Sequence, residues 1–240
     1  MPWDFWLIFF VLGVILPWRG RARLQKLLAV PHVGMMERLS LYVSTIAFQW
    51  IIVGLVAWRA WAHGLTVAEL GLTIEGKAQI LLTGISGAAA LATLQWLNLR
   101  RMGRLPTAAR GLLQSLAERI FPQSRVEMLP YFALAVTAGL CEEFLYRGFA
   151  LAAIVRAGSP VWTAVVISSI LFGLAHIYQG RGGFVSTMLL GTLFGAARIV
   201  YHSLVPVIFW HSVVDLVAGV AGPRYLTRSL DPEPKRQNAP

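Results

Sequence analysis

Cys141-Glu142-Glu143-Phe144-Leu145-Tyr146-Arg147-Gly148 closes a run that from Leu129 onwards is otherwise mainly Leu, Ala, Val and aromatic. A charge at the centre of a membrane helix costs roughly 2.5–3.5 kcal/mol on insertion scales, so three such residues in close succession point to a functional site facing a protein interior or a wet cavity. That reading requires the segment to lie in lipid, and the rest of the chain supports it. Of 240 residues, 57% are hydrophobic and 13% charged. Several apolar runs approach the length that crosses a ~30 Å hydrocarbon core. The chain reads as all-α, a polytopic transmembrane bundle of 7–8 helices with a short in-plane amphipathic helix. Spans are predicted at 3–18, 39–61, 78–99, 129–145, 161–176, 184–200 and 204–221, and a further short helix over 148–155 could cross, re-enter or lie flat. Trp3, Trp6, Trp18, Trp50, Trp58, Trp61, Trp96 and Trp210 mostly fall near span ends, where an amphipathic ring suits the headgroup layer.

The net charge of +10 would suggest nucleic acid in a soluble protein, but here the basic residues are placed for topology. Arg19, Arg21, Arg23, Lys26 and Arg38 fill the first loop; Arg100, Arg101, Arg104, Arg110, Arg119 and Arg125 fill the third; Arg224, Arg228, Lys235 and Arg236 fill the tail. By the positive-inside rule these segments are cytoplasmic, which places the N-terminus outside and the C-terminus inside, with no nucleic-acid partner. Asp4 and the lack of a basic segment before the first apolar run argue for a retained helix rather than a cleaved signal peptide. The single cysteine, Cys141, excludes an internal disulfide and a Cys-based zinc knuckle, and reads as a small packing residue rather than a nucleophile.

Between Leu105 and Phe121 the pattern turns amphipathic. Leu105, Ala109, Leu112, Leu113, Leu116 and Ile120 recur at helical spacing, with Arg110, Glu118 and Arg119 on other faces. This is either an in-plane helix at the cytoplasmic surface or a helix packed on the bundle. The segment 231–240 is Pro-rich and charged, a composition that favours disorder. The organisation that follows is an accessory N-terminal set of transmembrane helices with the basic amphipathic segment over 1–128, a site-bearing transmembrane core over 129–221, and a disordered cytoplasmic tail over 222–240.

Three polar constellations lie in the core. On a helix Glu143 and Arg147 share a face four residues apart, acid first, which is the better order for an ion pair. Glu142 is rotated by about 100° from Glu143 and faces elsewhere. The bland alternative places all three at a helix end among headgroups. Phe172-Gly173-Leu174-Ala175-His176 ends an apolar helix on a histidine, and His211-Ser212-Val213-Val214-Asp215 sets a histidine and a carboxylate four apart in another. A lone helix-end histidine is commonly a satisfied interfacial residue, and a His/Asp pair can simply lock two helices. Together, however, carboxylates, histidines and an arginine on three helices supply a base, oxyanion donors and an orienter, the inventory for hydrolysing a peptide bond with activated water.

The order EExxxR, FxxxH, HxxxN/D, each on its own hydrophobic helix, resembles the CPBP family of intramembrane proteases, which includes the CAAX prenyl endopeptidases and the Abi or bacteriocin-immunity proteins. The likeness covers about 129–221. It implies an intramembrane endopeptidase acting on a membrane-associated protein or peptide, in a bacterial plasma membrane, with lipids as its surroundings; oligomeric state is left open. By motif, Glu142 would activate water with His176 assisting, Glu143, Arg147 and Phe172 would support the site, and His211 and Asp215 would form the oxyanion side or bind substrate. Asp215 departs from the asparagine the family often carries: an amide can donate to an oxyanion and an ionised carboxylate cannot, so Asp215 is expected to orient His211 or to be protonated. No cofactor is expected. The alternative is Zn²⁺ on Glu142, His176 and His211.

Other readings are weaker. His-Glu-x-x-His is missing, and Asp215 has no second membrane aspartate as partner. Gly84-Ile85-Ser86-Gly87 mimics the serine motif of rhomboid proteases, with His176 as a possible base, although small residues at this spacing, as in Gly191-x-x-x-Gly195, more often allow close helix contact. A transporter or silent scaffold would use the same buried acids as a relay, but transporters commonly carry matched halves, and the site residues here are confined to the second half.

Overall fold

The computed structural model describes residues 1–74 and 76–227, apart from the side chains of 107–109. The chain is all-helical among these residues, with eight helices. They are α1 (Trp3–Ala29), α2 (Met35–Ala62), α3 (Lys77–Met102), α4 (Thr107–Ile120), α5 (Arg125–Arg156), α6 (Val161–Ala175), α7 (Gly180–Tyr201) and α8 (Val205–Leu226). Six are long and apolar enough to cross a membrane, and α6 is a shorter apolar helix.

The helices alternate in direction, and polar links at the two ends of the bundle show it. At one end Arg38 pairs with Glu127 (2.7 Å), the Tyr42 hydroxyl donates to the Ile120 carbonyl (2.6 Å), Arg119 donates to the Leu27 carbonyl (3.0 Å) and Arg110 donates to the Leu226 carbonyl (2.9 Å). At the other end Arg59 and His63 meet Asp4 at 2.6 and 3.0 Å, Arg198 donates to the Glu69 carbonyl (2.7 Å) and the Leu204 amide donates to Gly71 (2.8 Å). Between α2 and α3, the Thr66 amide donates to the Glu69 carboxylate (2.7 Å) and holds that carboxyl below its usual range. The described residues of the sequence's basic clusters therefore gather at one end.

Several boundaries differ from the sequence reading. The first helix does not stop near Trp18: it runs to Ala29, so Arg19, Arg21, Arg23 and Lys26 are helical rather than in a loop. Nothing in that stretch breaks a helix until Val30, which adopts an extended conformation before Pro31, as the residue preceding proline prefers. The separate short helix expected over 148–155 is instead the continuation of α5, which winds through a π-helical stretch at Phe144–Ala150 without interruption. Gly148 is there for proximity rather than as a breaker: a Cβ on it would lie 3.1 Å from the Leu70 carbonyl oxygen. Helix α8 extends to Leu226, past the expected start of a disordered tail at 222, while the rest of that expected tail, 228–240 with Arg228, Lys235 and Arg236, lies outside the described residues.

The amphipathic segment is a helix, α4, kinked at Gly111 (φ 37). Arg110, Leu116 and Ala117 are buried, and Arg110 and Arg119 link α4 to α8 and α1. Trp3, Trp6, Trp18, Trp58 and Trp61 are exposed, as interfacial anchors are, but Trp210 is not an anchor. It is buried between α8 and α3, where Gly87 makes room for its ring and its Nε1–H donates to the Thr83 carbonyl (3.2 Å).

Candidate active site

Helix α6 is 15 residues long. At 1.5 Å per residue that is about 22 Å, short of the ~30 Å core, so a helix of this length cannot have both ends outside membrane depth. Irregular backbone at that depth is tolerated where it lines a cavity. Here the chain turns through His176 and the 3₁₀ turn Ile177–Gln179 and re-enters helix at Gly180, whose φ of 85 and ψ of −179 suit glycine alone. The turn faces a cavity of about 810 Å³ that is also lined by Glu142, His211, Asp215, Gln49 and Tyr146.

The sequence geometry of the acidic motif holds, with one addition. Arg147 binds Glu143 at 3.0 Å across one turn, and both side chains are completely buried. Arg147 also lies 4.0 Å over the Phe172 ring, which explains the place of Phe172 in its motif as a cation–π support. Glu142 is rotated away from this pair and enters the cavity. The addition is the π-helical winding that begins at Phe144, a feature often found at functional sites and invisible to apolar periodicity. Glu143 and Arg147 are fully buried within α5 rather than at a helix end, and the site lies among α2, α5, α6 and α8.

His211 is oriented mainly by Glu143: its Nδ1 lies 2.7 Å from Glu143 Oε1, whereas Asp215 Oδ2 is 3.6 Å from Nε2. The sequence offered Asp215 for that work; the shorter contact belongs to Glu143, which thus holds Arg147 and His211 together. A carboxylate only accepts, so Nδ1 of His211 carries the hydrogen. The same logic applies to His176, whose Nδ1 donates to the Phe172 carbonyl (2.9 Å) and directs Nε2 at the cavity. Glu142 Oε2 lies 3.8 Å from His176 Nε2 and 3.9 Å from His211 Nε2. Those separations exceed hydrogen-bond length, which leaves Oε2 able to accept from a water in the cavity.

Glu142, His176, His211 and Asp215 are therefore brought together, with Glu143, Arg147 and Phe172 behind them. Sequence reasoning missed Gln49 on α2, whose Nε2 donates to Glu142 Oε1 (2.9 Å). An amide in the middle of the apolar span 39–61 was the available signal. It also sets a residue of the N-terminal half against Glu142. A Gln49→Leu variant should lose roughly fivefold in turnover with little change in folding, because the loss of one such bond is worth about 1 kcal/mol; initial rates against thermal midpoint would check it.

Ser86, the nucleophile of the rhomboid reading, lies exposed on α3, donates to the Thr83 carbonyl (3.4 Å), and does not line the cavity. Gly84 and Gly87 instead face Pro206 and Trp210 of α8, Gly191 faces Arg147 of α5 as well as α6, and Gly195 faces α6, as close helix contact requires. Cys141 is buried and packs. The zinc set the sequence allowed, Glu142 with His176 and His211, surrounds one point, yet among the described residues no three His, Cys, Asp or Glu side chains form a group spaced to hold a metal ion.

Fold and site define a polytopic helical membrane protein with a carboxylate–histidine cluster inside it. Residues 124–217 match the family model described as Type II CAAX prenyl endopeptidase Rce1-like, in agreement with the CPBP resemblance. The match covers less than half of the 240 residues, and marks 124–217 as similar to an Rce1-like domain. No curated protein and no solved structure matches the chain.

Proposed function

We propose that the protein is an intramembrane endopeptidase that hydrolyses a peptide bond of a membrane-associated protein or peptide by means of water activated by Glu142. The observation that carries this reading is the placement of Glu142 Oε2, free of any hydrogen bond, between two imidazoles whose Nδ1 atoms are already occupied. Water entering there meets two acceptors, Glu142 Oε2 and His176 Nε2, which leave an oxygen lone pair free for the substrate carbonyl. Glu142 takes the proton as the C–O bond forms, and returns it to the amine nitrogen as the C–N bond breaks. Glu143, tied to Arg147 and His211, keeps the cluster in place. The basic end of the bundle is assigned to the cytoplasm, with the N-terminus outside.

Membrane fractions from cells carrying the wild type, Glu142→Ala and Ser86→Ala should be compared by mass spectrometry of peptide termini. Termini that vanish with Glu142→Ala and persist with Ser86→Ala are expected. Their persistence in Glu142→Ala would reject the base assignment, and proton-coupled solute flux in proteoliposomes without any peptidase activity would favour the transporter reading. The reaction is also proposed to need no metal. Purified protein dialysed against a chelator should retain its rate, with less than stoichiometric zinc by elemental analysis; loss on dialysis and recovery with Zn²⁺ would establish the metal alternative.

A further inference from the structure

Water-driven peptide hydrolysis generates a negative charge on the carbonyl oxygen, and that oxygen needs a donor. The groups the sequence offered for this are poorly placed to give one. Asp215 is a carboxylate, and His211 turns Nε2 towards two acids, Asp215 at 3.6 Å and Glu142 at 3.9 Å. With Nδ1 donating to the Phe172 carbonyl, neutral His176 presents only a lone pair. The amide of Gln49 donates to Glu142, and that of Gln179 donates to the Tyr178 hydroxyl (3.2 Å). Arg147 is held behind Glu143 and does not line the cavity.

Tyr146 is different. It lines the cavity, its side chain is almost completely buried, and its hydroxyl has no hydrogen-bond partner among the described residues. Burial of a hydroxyl without a partner costs about 1–3 kcal/mol, so a reason for keeping it is required. It stands four residues from Glu142 on the same helix, so the two share a face, and the Phe172 ring fixes its own ring edge-on at a centroid distance of 5.2 Å. We infer that Tyr146 is a catalytic residue whose O–H donates to the carbonyl oxygen of the scissile bond as negative charge develops there. The inference rests on the peptidase reading above. Tyr146 keeps its proton throughout: the carbonyl π pair moves to oxygen when water adds and returns when the C–N bond breaks.

Tyr146→Phe removes the hydroxyl and keeps the ring. On the Glu142-dependent termini, and on a prenylated CAAX reporter peptide if it is cut, the variant should lose roughly 10²–10³-fold in kcat with KM nearly unchanged, as for removal of one oxyanion donor. Its thermal midpoint should equal or exceed that of the wild type, because an unpartnered buried hydroxyl has gone. A purely structural role for Tyr146 would instead lower the midpoint. Wild-type kcat in Tyr146→Phe, with Glu142→Gln inactive, overturns the inference alone, as does a larger loss in Tyr178→Phe than in Tyr146→Phe. If no terminus depends on Glu142, the peptidase reading falls and this inference falls with it.

Discussion

Purified Glu142→Gln protein, folded and extracted in the same micelles as the wild type, should hydrolyse a Glu142-dependent substrate at least about 10²–10⁴ times more slowly, the range over which a positioned base acts. The substitution is chosen because it changes the chemistry and almost nothing else. An amide has the shape of the carboxylate but cannot take a proton from water. It can still meet Gln49, whose Oε1 has no partner and is able to accept from it. Glu143 and Arg147 are left as they are, so the helix and the buried ion pair survive. Thermal midpoint near that of wild type, combined with loss of turnover, therefore separates a missing base from a damaged fold. Full turnover in this variant would show that proton transfer from water goes elsewhere.

How far the sequence leads depends on which physical signal each residue leaves. Membrane spans are legible because the bilayer imposes length and hydropathy together, and the charged motif within 129–148 is legible because lipid makes charge costly. Glu143 and Arg147 can be paired from the sequence alone, since i,i+4 spacing on a helix is fixed. Three features leave no such signal. Continuous winding of α5 from Arg125 to Arg156 depends on a π-helical stretch, which apolar periodicity does not encode, so Gly148 reads as a helix boundary. Trp210 carries the composition of an anchor and the position of a core residue, and only the glycine opposite it on α3 tells them apart. The partner of His211 is hidden for a related reason. Asp215 is its neighbour along one helix and Glu143 its neighbour across two, and only local spacing can be read from a chain.

Arg147→Met is expected to be the most destabilising change in the site. Glu143 would then keep its charge in a fully buried position with His211 as its one ion-pair partner among the described residues, since Arg147 and His211 are the charged groups that contact it there. Breaking a buried pair from one side costs about 3–5 kcal/mol, because the surviving ion is left uncompensated. The cation that stacks on Phe172 would be lost as well. Methionine fills much of the volume, so the loss reports charge rather than a void. The test is a double-mutant cycle. In Glu143→Gln/Arg147→Met the buried residue at 143 is neutral, and its amide oxygen can still accept from His211 Nδ1. The double variant should therefore unfold at a higher temperature than Arg147→Met alone, with a coupling of about 0.5–3 kcal/mol as contacting residues show. Equal stability of Arg147→Met and wild type would mean that Glu143 is buried without charge. In that case Glu143 donates to His211 Nδ1 instead of accepting from it, and neutral His211 carries its hydrogen on Nε2, facing the cavity.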